Sequence, residues 1–462
     1  MFGRRLEYHS QKAVLLHMDA NVRFKISLHM PLIRSVEKVV PLKMDSLYLT
    51  EVTTWVNDNC FVVGVDRRYP DGTAPKYRED ESNLDYDEFG FPFVSGHDVL
   101  LPGDISFQKE NEKVRFDTEE DEREYEQDLR HCEKALEILN DLKSKGVTKR
   151  DYLRRLENVP VESEEDRAVR NMLRDEYFNS RNLAEYIEGY KQELQSFDCR
   201  KNNSKRQFEC YIQLYSFEGQ EPSKKKRFEY NKKCFEASKY LNEVLFGGRT
   251  MPIRVKKLSL CSDAILRLPV GFQLQVQEAS LRTGYLMQPL DQRGKGLAHE
   301  NFPLIVENLE SLDCLKVYTD ELRLDGYKSR IVRNAKKLII AGDEEFMEKD
   351  VVVTVIRDLQ NREIGIKTRD STMSKEFYTT VIQNWLNGGR QVGACLWMAN
   401  RAVETGRKIA DEVLKSIETR YERSERKERC VTVPLSNSTV MEVCSVPFED
   451  SYWMLKLNIL KV

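Results

Sequence analysis

Apolar positions after residue 250 recur as short strand-like runs, and helix-compatible stretches lie near the later ones. From Leu312 onward, the centres of successive runs lie about 23 to 31 residues apart, which overlaps the leucine-rich repeat range. Before Leu312 the spacing is irregular. The four clearest runs are 255–260, 312–317, 335–340 and 363–367, with weaker ones at 273–281 and 394–398, and the helix-compatible stretches are 302–310, 348–360 and 374–387.

This rhythm predicts an α/β fold, α+β overall, whose C-terminal half is a leucine-rich-repeat-like array of strands and helices across 201–429. The L-x-x-L-x-L pattern is partial, as in Leu312, Leu315 and Val317. A strand–helix unit cannot bury its apolar face alone, so stacked units would share one core and leave a strand-lined surface. An ordinary open α/β sheet is the alternative, because strands alternating with helices fit it as well.

The N-terminal segment, residues 1–45, predicts a small lobe of short helices. Ser10 and Asn21 are suited to cap the first and second helices, and Pro31 is suited to the first turn of a third. Residues 46–117 are instead rich in β-forming side chains and contain a long loop between 69 and 104.

The segment 118–200 is strongly helical and predicts an inserted antiparallel hairpin. Its apolar side chains follow a spacing of three and four residues, which places them on one seam of each helix. The hairpin either packs within the molecule or mediates self-association. The seam residues are Tyr125, Leu129, Cys132, Leu136 and Leu139 in the first half, and Leu183, Ile187, Tyr190 and Leu194 in the second.

The C-terminal tail changes pattern again. Residues 407–429 predict a charged helix, and 430–462 predict an antiparallel β cap of three strands. A basic run from Lys224 to Arg227 lies earlier in the chain and favours a solvated helix start over a nucleic-acid patch, because no aromatic platform accompanies it.

Composition narrows the functional classes. The 73 basic and 76 acidic side chains give a net charge of −3, so no global field favours nucleic acid or membranes. Ten cysteines form no C-x-x-C pair and only six histidines accompany them, so we expect reduced thiols and no metal site. No apolar stretch approaches the ~18 residues of a membrane span. We therefore expect a chain of the cytoplasm or the nucleus.

Motifs that carry chemistry are missing from the sequence. It contains no phosphate-binding loop, no dinucleotide fingerprint, no nucleophile elbow and no H-E-x-x-H pair. Carboxylates are so abundant that any one pair of them carries little weight. We therefore predict a protein without catalytic residues or cofactors, which acts by binding other proteins.

The order of several short phrases resembles a nematode-expanded family of F-box-like proteins of uncharacterised function, with an F-box-associated type of C-terminal region. The resemblance spans most of the chain, and the order of the phrases makes it specific. The phrases are MPLIRSVEK (30–38), PLKMDSLYL (41–49), DEFGF (87–91), LPGDI (101–105), LFGGR (245–249), LRLP (266–269), WLNGG (385–389) and YWMLK (452–456).

The resemblance implies a substrate receptor of a cullin–RING ubiquitin ligase, whose N-terminal helices engage the ligase adaptor while the C-terminal array captures an unknown target. The chain lacks the usual Leu-Pro opening of an F-box, and its helical segment is short. The alternative function is a scaffold with no ligase role that self-associates through 118–200. Candidate adaptor-binding residues are Val14, Met18, Val22 and Ile26; packing against the first strands is their alternative role.

Overall fold

A computed structural model of the protein shows a mixed α/β fold. In the part of the chain it describes, twelve α-helices accompany one sheet of fifteen strands. The prediction of an α/β class is therefore confirmed. The described residues are 7–70, 84–96, 98–107, 116–156, 159–161, 163–175, 177–219, 224–261, 265–282, 301–309, 312–318, 326–342, 349–368, 374–401, 403–436, 438–448 and 452–462.

The helices fall into three groups along the chain. Three form the N-terminal lobe, four lie between residues 119 and 201, and five accompany the C-terminal strands. Their bounds are α1 Tyr8–Leu16, α2 Ala20–His29, α3 Pro31–Lys38, α4 Glu119–Ser144, α5 Lys149–Leu156, α6 Glu164–Arg174, α7 Ser180–Lys201, α8 Cys234–Phe246, α9 Arg330–Asn334, α10 Lys349–Val355, α11 Lys375–Asn387 and α12 Val403–Arg420.

The strands come from both ends of the chain. Four short ones form two separate pairs, and the rest build the large sheet. Their bounds are β1 Lys43–Leu49, β2 Thr53–Val56, β3 Asn59–Arg68, β4 Leu84–Tyr86, β5 Pro92–Val94, β6 Ile105–Ser106, β7 Glu209–Glu218, β8 Lys224–Glu229, β9 Ile253–Cys261, β10 Ile265–Leu266, β11 Leu274–Arg282, β12 Cys314–Tyr318, β13 Lys337–Gly342, β14 Glu363–Thr368, β15 Cys395–Asn400, β16 Glu425–Arg426, β17 Cys430–Ser436, β18 Thr439–Phe448 and β19 Tyr452–Lys461.

The centre of the sheet is a run of seven parallel strands. Its order is β1, β9, β11, β12, β13, β14 and β15, so that from β9 onward neighbours in the sheet follow each other along the chain. Antiparallel strands flank the run on both sides, with β2, β3, β7 and β8 beyond β1 and with β19, β18, β17 and β16 beyond β15. We call the seven strands the parallel array.

Two rows of buried apolar side chains cross the parallel array. The strand pairing aligns each row, and every member of both rows is buried in one continuous core. Side chains of a strand alternate between its faces, so the rows define one buried face and leave an opposite face, which we call the open face. The rows are Leu47, Leu258, Ala279, Leu315, Leu338, Ile364, Leu396 and Leu49, Leu260, Leu281, Val317, Ile340, Ile366, Met398.

The sheet joins segments that the sequence pattern separates. Predicted segments 46–117, 201–429 and 430–462 all contribute strands to it, because β1 lies beside β9 and β3 lies beside β7. The basic run 224–227 is not a helix start; it belongs to β8, an edge strand with every side chain exposed. Lysines on an edge strand discourage pairing with another chain. Residues 71–83 of the predicted long loop lie outside the described residues.

The segment 118–200 contains four helices where the sequence pattern predicted a two-helix hairpin. The long helices α4 and α7 pack along each other, and α6 packs against α4. Thr118 caps α4 through a reciprocal pair of hydrogen bonds with Asp121. Cys132, Leu183 and Ile187 of the predicted seams are buried in the core of these helices, which we call the helical bundle.

The N-terminal lobe has the expected three helices but different caps. Ser10 lies inside α1, and Asp19 caps α2 by accepting hydrogen bonds from the backbone N–H groups of Asn21 and Val22. The predicted caps at Ser10 and Asn21 are therefore wrong. The amide of Asn21 instead donates to the carbonyl of Val56, 3.0 Å away. Pro31 occupies the first turn of α3, as predicted.

Candidate protein-binding surfaces

A buried carboxylate attaches the N-terminal lobe to the rest of the molecule. Glu37 of α3 is fully buried and accepts hydrogen bonds from Arg23 of α2, at 2.9 Å, and from Arg249 after α8, at 2.7 Å. Arg23 also donates to the carbonyls of Pro41 and Val40. Because the carboxylate faces two guanidinium groups, this cluster fixes the lobe on the sheet through charge-assisted hydrogen bonds.

Burial disfavours the charged forms of the basic side chains around Glu37. Burial lowers the pKa of Arg23 and of Arg249, and the neighbouring Glu37 opposes that change. Burial and the nearby Arg249 also lower the pKa of Lys38 to about 8. The Lys38 ammonium donates to the carbonyls of Val244 and Leu245 at the end of α8, each at 2.9 Å. Two phrases of the resemblance, 30–38 and 245–249, therefore meet here.

A second buried ion cluster joins two further phrases, 101–105 and 266–269. Arg267 is fully buried and donates to Asp104, at 2.8 Å, and to the carbonyls of Val99 and Gly96. Lys239 of α8 donates to the other oxygen of Asp104, at 2.9 Å. The cluster fastens the loop before β6 to α8 and β10. These charged residues pair with one another and with backbone carbonyls inside the scaffold.

The N-terminal lobe exposes an unusual amount of apolar surface. Of the large apolar side chains that are exposed in the described part of the chain, seven lie between residues 8 and 32. Leu32, at the first turn of α3, is 77% exposed. Exposed apolar side chains that cluster in this way mark interaction surfaces. We call this set the lobe surface: Tyr8, Val14, Leu16, Val22, Leu28, Met30 and Leu32.

The four predicted adaptor-binding residues divide between two environments. Val14 and Val22 are exposed and belong to the lobe surface. Met18 is half-buried against the small core of Leu15, Val36 and Val40, and Ile26 is also half-buried. The structure therefore brings two of the four residues to the lobe surface and leaves the other two partly inside.

Sequence reasoning missed the two most exposed members of the lobe surface, Leu32 and Met30, and also missed Leu28. Leu28, Met30 and Leu32 surround the corner at Pro31, where α2 ends and α3 begins. The sequence could have indicated these residues, because apolar side chains lie on both sides of Pro31. The buried face of α2 could not be recognised from its apolar residues alone. It contains Arg23, whose partners are Glu37 and backbone carbonyls, beside the apolar Phe24.

The open face of the parallel array holds a tryptophan in a fixed position. Trp397 on β15 lies over Gly365 of β14, where a Cβ atom would overlap the indole ring. Its N–H donates to Glu363 at 2.8 Å, and Glu363 also pairs with Lys337 at 2.7 Å. The Lys337 ammonium lies 5.5 Å from the centre of the Trp397 ring. Burial raises the pKa of Glu363, but the hydrogen bonds from Lys337 and Trp397 outweigh it and lower that pKa overall.

Further aromatic and basic side chains continue this arrangement. Phe448 of β18 packs against Trp397 with 5.3 Å between ring centres. Lys367 of β14 lies 4.4 Å from the ring centre of Tyr452 and 5.6 Å from that of Phe448. In each of these contacts the lysine ammonium group itself lies over the ring, which is a cation–π arrangement.

The cysteines of this face are not activated nucleophiles. Burial raises the pKa of the Cys314 and Cys395 thiols to about 11, so they are protonated at neutral pH. Cys430 and Cys444 lie opposite each other on β17 and β18, with 4.2 Å between their Cα atoms, and form a disulfide. The expectation that all the cysteines are reduced thiols is therefore wrong for this pair.

Metal-binding clusters and membrane-spanning helices are absent from the part of the chain that the structure describes. Among the described residues, no group of three or more His, Cys, Asp or Glu side chains could hold a metal ion. Within the same residues, no helix is both long and apolar enough to cross a membrane.

Comparison with known proteins places one match on the array. Residues 233–402 match a family model described as a domain of unknown function (DUF3557). The matched segment covers less than half of the chain, and it runs from the start of α8 to just past β15. No curated protein and no solved structure matches the chain. The N-terminal lobe and the helical bundle lie outside the matched segment.

Proposed function

We propose that this chain is a non-catalytic protein-binding protein, an F-box-like substrate receptor of a cullin–RING ubiquitin ligase. In this proposal the lobe surface binds the ligase adaptor, and the open face of the parallel array binds the target protein. No cofactor takes part. The proposed role belongs to the cytoplasm or the nucleus.

The lobe surface is the observation that carries the proposal. Burying an apolar side chain such as Leu32 on a partner would contribute roughly 1.5–3 kcal/mol, so several exposed apolar side chains within residues 8–32 offer a substantial driving force. The cluster of Glu37, Arg23 and Arg249 holds the helices of the lobe in place without using these side chains. The lobe can therefore present a preorganised apolar surface to a partner.

The order of the strands supports a leucine-rich-repeat-like array. Each of the seven strands supplies apolar side chains at two aligned positions, as Leu315 and Val317 do on β12. On β13 the spacing extends to a third buried position, Ala335, three residues before Leu338. Repeats stacked in this way leave an extended strand-lined surface, which is the surface such proteins use for binding.

Self-association through the helical bundle is the alternative function. A scaffold of this kind would need apolar side chains on the outside of the bundle. The seam residues Cys132, Leu183 and Ile187 pack inside it, so self-association would have to use other residues, of which Tyr177 is the most exposed. We therefore rank the receptor above the scaffold.

Co-purification with the ligase adaptor tests the proposal. Deletion of residues 1–40 would remove the buried Phe24 and Glu37, so substitutions on the lobe surface are a cleaner probe. The full chain should retain the adaptor, and a Leu28→Ser, Met30→Ser, Leu32→Ser variant should lose it. A Val270→Ser, Val392→Ser variant, altered at exposed positions elsewhere, should retain it.

The outcome also decides between the two functions. If the full chain does not retain the adaptor, the ligase role is wrong. A concentration-dependent oligomer that disappears on Tyr177→Ser would then favour the scaffold.

Thiol counting tests the proposed compartment. Disulfides rarely persist in the cytoplasm or the nucleus of a cell. A chain extracted with a thiol-blocking reagent should therefore show all ten cysteines blocked if it resides there. If Cys430 and Cys444 remain joined, eight will be blocked, and the proposed compartment is wrong.

A further inference from the structure

We infer that the open face binds an acidic peptide segment in extended conformation, an inference that rests on the proposed role of this face in target capture. The first observation is its charge. Among the described side chains at strand positions that alternate with the buried rows between β9 and β19, there are five lysines and two glutamates, which together carry an excess of three positive charges. They are Lys257, Lys316, Lys337, Lys367, Lys456, Glu278 and Glu363.

The two glutamates do not compensate for the lysines equally. Glu363 is already held by Lys337 and by the indole N–H of Trp397. Beyond β19, the neighbouring strand β18 adds Glu442 at the margin of the face. Lys316 and Lys456 lie in the same row as Trp397, with no acidic side chain between them in that row. The centre of the face therefore attracts carboxylates.

The lysines are positioned before any partner arrives. Lys337 rests on Trp397, Lys367 rests on Tyr452, and Lys316 lies 4.9 Å from the ring centre of Tyr318. A lysine whose ammonium group is already held over a ring loses less conformational freedom when it pairs with a carboxylate. The arrangement thus favours ion pairs more than freely rotating surface lysines would.

The dimensions of the face fit a short peptide. Six steps between neighbouring strands separate β9 from β19, which is a distance of about 29 Å at ~4.8 Å per step. An extended chain that rises about 3.3 Å per residue covers this distance with about nine residues. An acidic segment of that length would cross the strands that carry these lysines, from β9 to β19.

A protein segment fits this face better than nucleic acid does. Proteins that bind single strands stack bases on exposed aromatic rings. Trp397 is only 4% exposed and is already covered by Lys337 and Phe448, so it offers no free ring face.

Fluorescence anisotropy of a labelled peptide of about ten glutamates tests the inference on the full chain. The variant is Lys257→Glu with Lys316→Glu, which leaves the contacts of Trp397 intact. Lys224→Glu with Lys226→Glu on the edge strand β8 is the matched control, since both of those lysines are exposed. Circular dichroism melting curves of all three proteins check that they fold alike.

We expect the peptide to bind the full chain, with an affinity that falls at least tenfold in the open-face variant, by about 1.4 kcal/mol or more, and not in the control. Equal losses in both variants, or no binding to the full chain, would overturn the inference. An oligothymidine of similar length that binds more tightly than the peptide would also overturn it. The adaptor experiment is independent, so failure of one proposal leaves the other testable.

Discussion

The N-terminal lobe and the helical bundle are both small groups of helices attached to the same molecule, yet they treat their apolar side chains in opposite ways. The bundle buries its seams between its own helices, with Leu183 fully buried and Leu173 almost so. The lobe buries few apolar residues and leaves side chains such as Leu32 and Met30 in water. The lobe is fixed by the ion cluster around Glu37 together with Phe24, which packs in the main core against Phe246.

This contrast shows how a short helical segment can remain both ordered and available for binding. A bundle that buries most of its apolar side chains in its own core exposes few of them to a partner. A lobe that is held by charge-assisted hydrogen bonds keeps its apolar residues free, at the cost of burying Arg23 and Glu37. The comparison therefore supports the proposed binding role of the lobe and favours a structural role for the bundle.

Glu37→Gln should have the largest effect on stability. The substitution leaves the buried Arg23 and Arg249 without their carboxylate, and breaking a buried pair in this way costs about 3–5 kcal/mol. Urea unfolding followed by circular dichroism measures the loss. The control is Glu218→Gln, which breaks an exposed pair with Lys25 and should change the free energy of unfolding little. Similar losses in both variants would mean that the Glu37 cluster does not anchor the lobe.

Leucine-to-alanine substitutions in the two regions compare them directly. Leu183→Ala in the bundle should cost about 2–5 kcal/mol, because it opens a cavity in a packed core. Leu32→Ala in the lobe should stay within about 0.5 kcal/mol of the unaltered protein, because that side chain is mostly in water. Both values come from the same denaturant titration. A large loss for Leu32→Ala would show that the lobe surface packs against the protein itself.

Gly365→Ala extends the comparison to the open face. The new Cβ would overlap the Trp397 ring, so we expect a loss of about 1–3 kcal/mol from overpacking. In a chain that also carries Trp397→Ala, the added methyl group should cost much less, since the ring is gone. The four proteins form a double-mutant cycle in thermal unfolding. Additive effects would show that Trp397 does not occupy this position.

Lys38→Met should give an effect that is visible as a dependence on pH. The folded-state pKa of Lys38 is about 8, below the ~10.4 of an unfolded lysine. Between these values the unfolded chain binds more protons, so the contribution of Lys38 to stability rises with pH. The difference in unfolding free energy between the unaltered protein and the variant should therefore grow from pH 8 to pH 10. If this difference in unfolding free energy does not change between pH 8 and pH 10, the Lys38 ammonium group lies in solvent.

Local patterns predicted much of the parallel array. The apolar runs at 255–260, 312–317, 335–340 and 363–367 coincide with β9, β12, β13 and β14, because a strand buried on one face must repeat apolar side chains at fixed spacing. The helix-compatible stretch predicted at 374–387 forms α11, Lys375–Asn387, and Ser374 caps this helix. The predicted helix at 302–310 is reduced to a short 3-10 turn at Phe302–Leu304.

Contacts between distant segments could not be predicted in this way. The pairing of β1 with β9 joins residues near 45 to residues near 255, and no local pattern records which strands become neighbours. The four candidate adaptor-binding residues divide between exposed and half-buried positions for a related reason. The helical spacing of Val22 and Ile26 on α2 favoured Ile26 as a binding residue. The face that α2 exposes depends instead on Arg23, which pairs with Glu37 of α3.

Amide hydrogen exchange of the full chain with and without the ligase adaptor tests the central claim most directly. The account predicts that residues 8–32 gain protection when the adaptor is added, while the helical bundle between 119 and 201 keeps its exchange rates. Protection that appears in the bundle, or in neither region, would contradict the assignment of binding to the lobe surface.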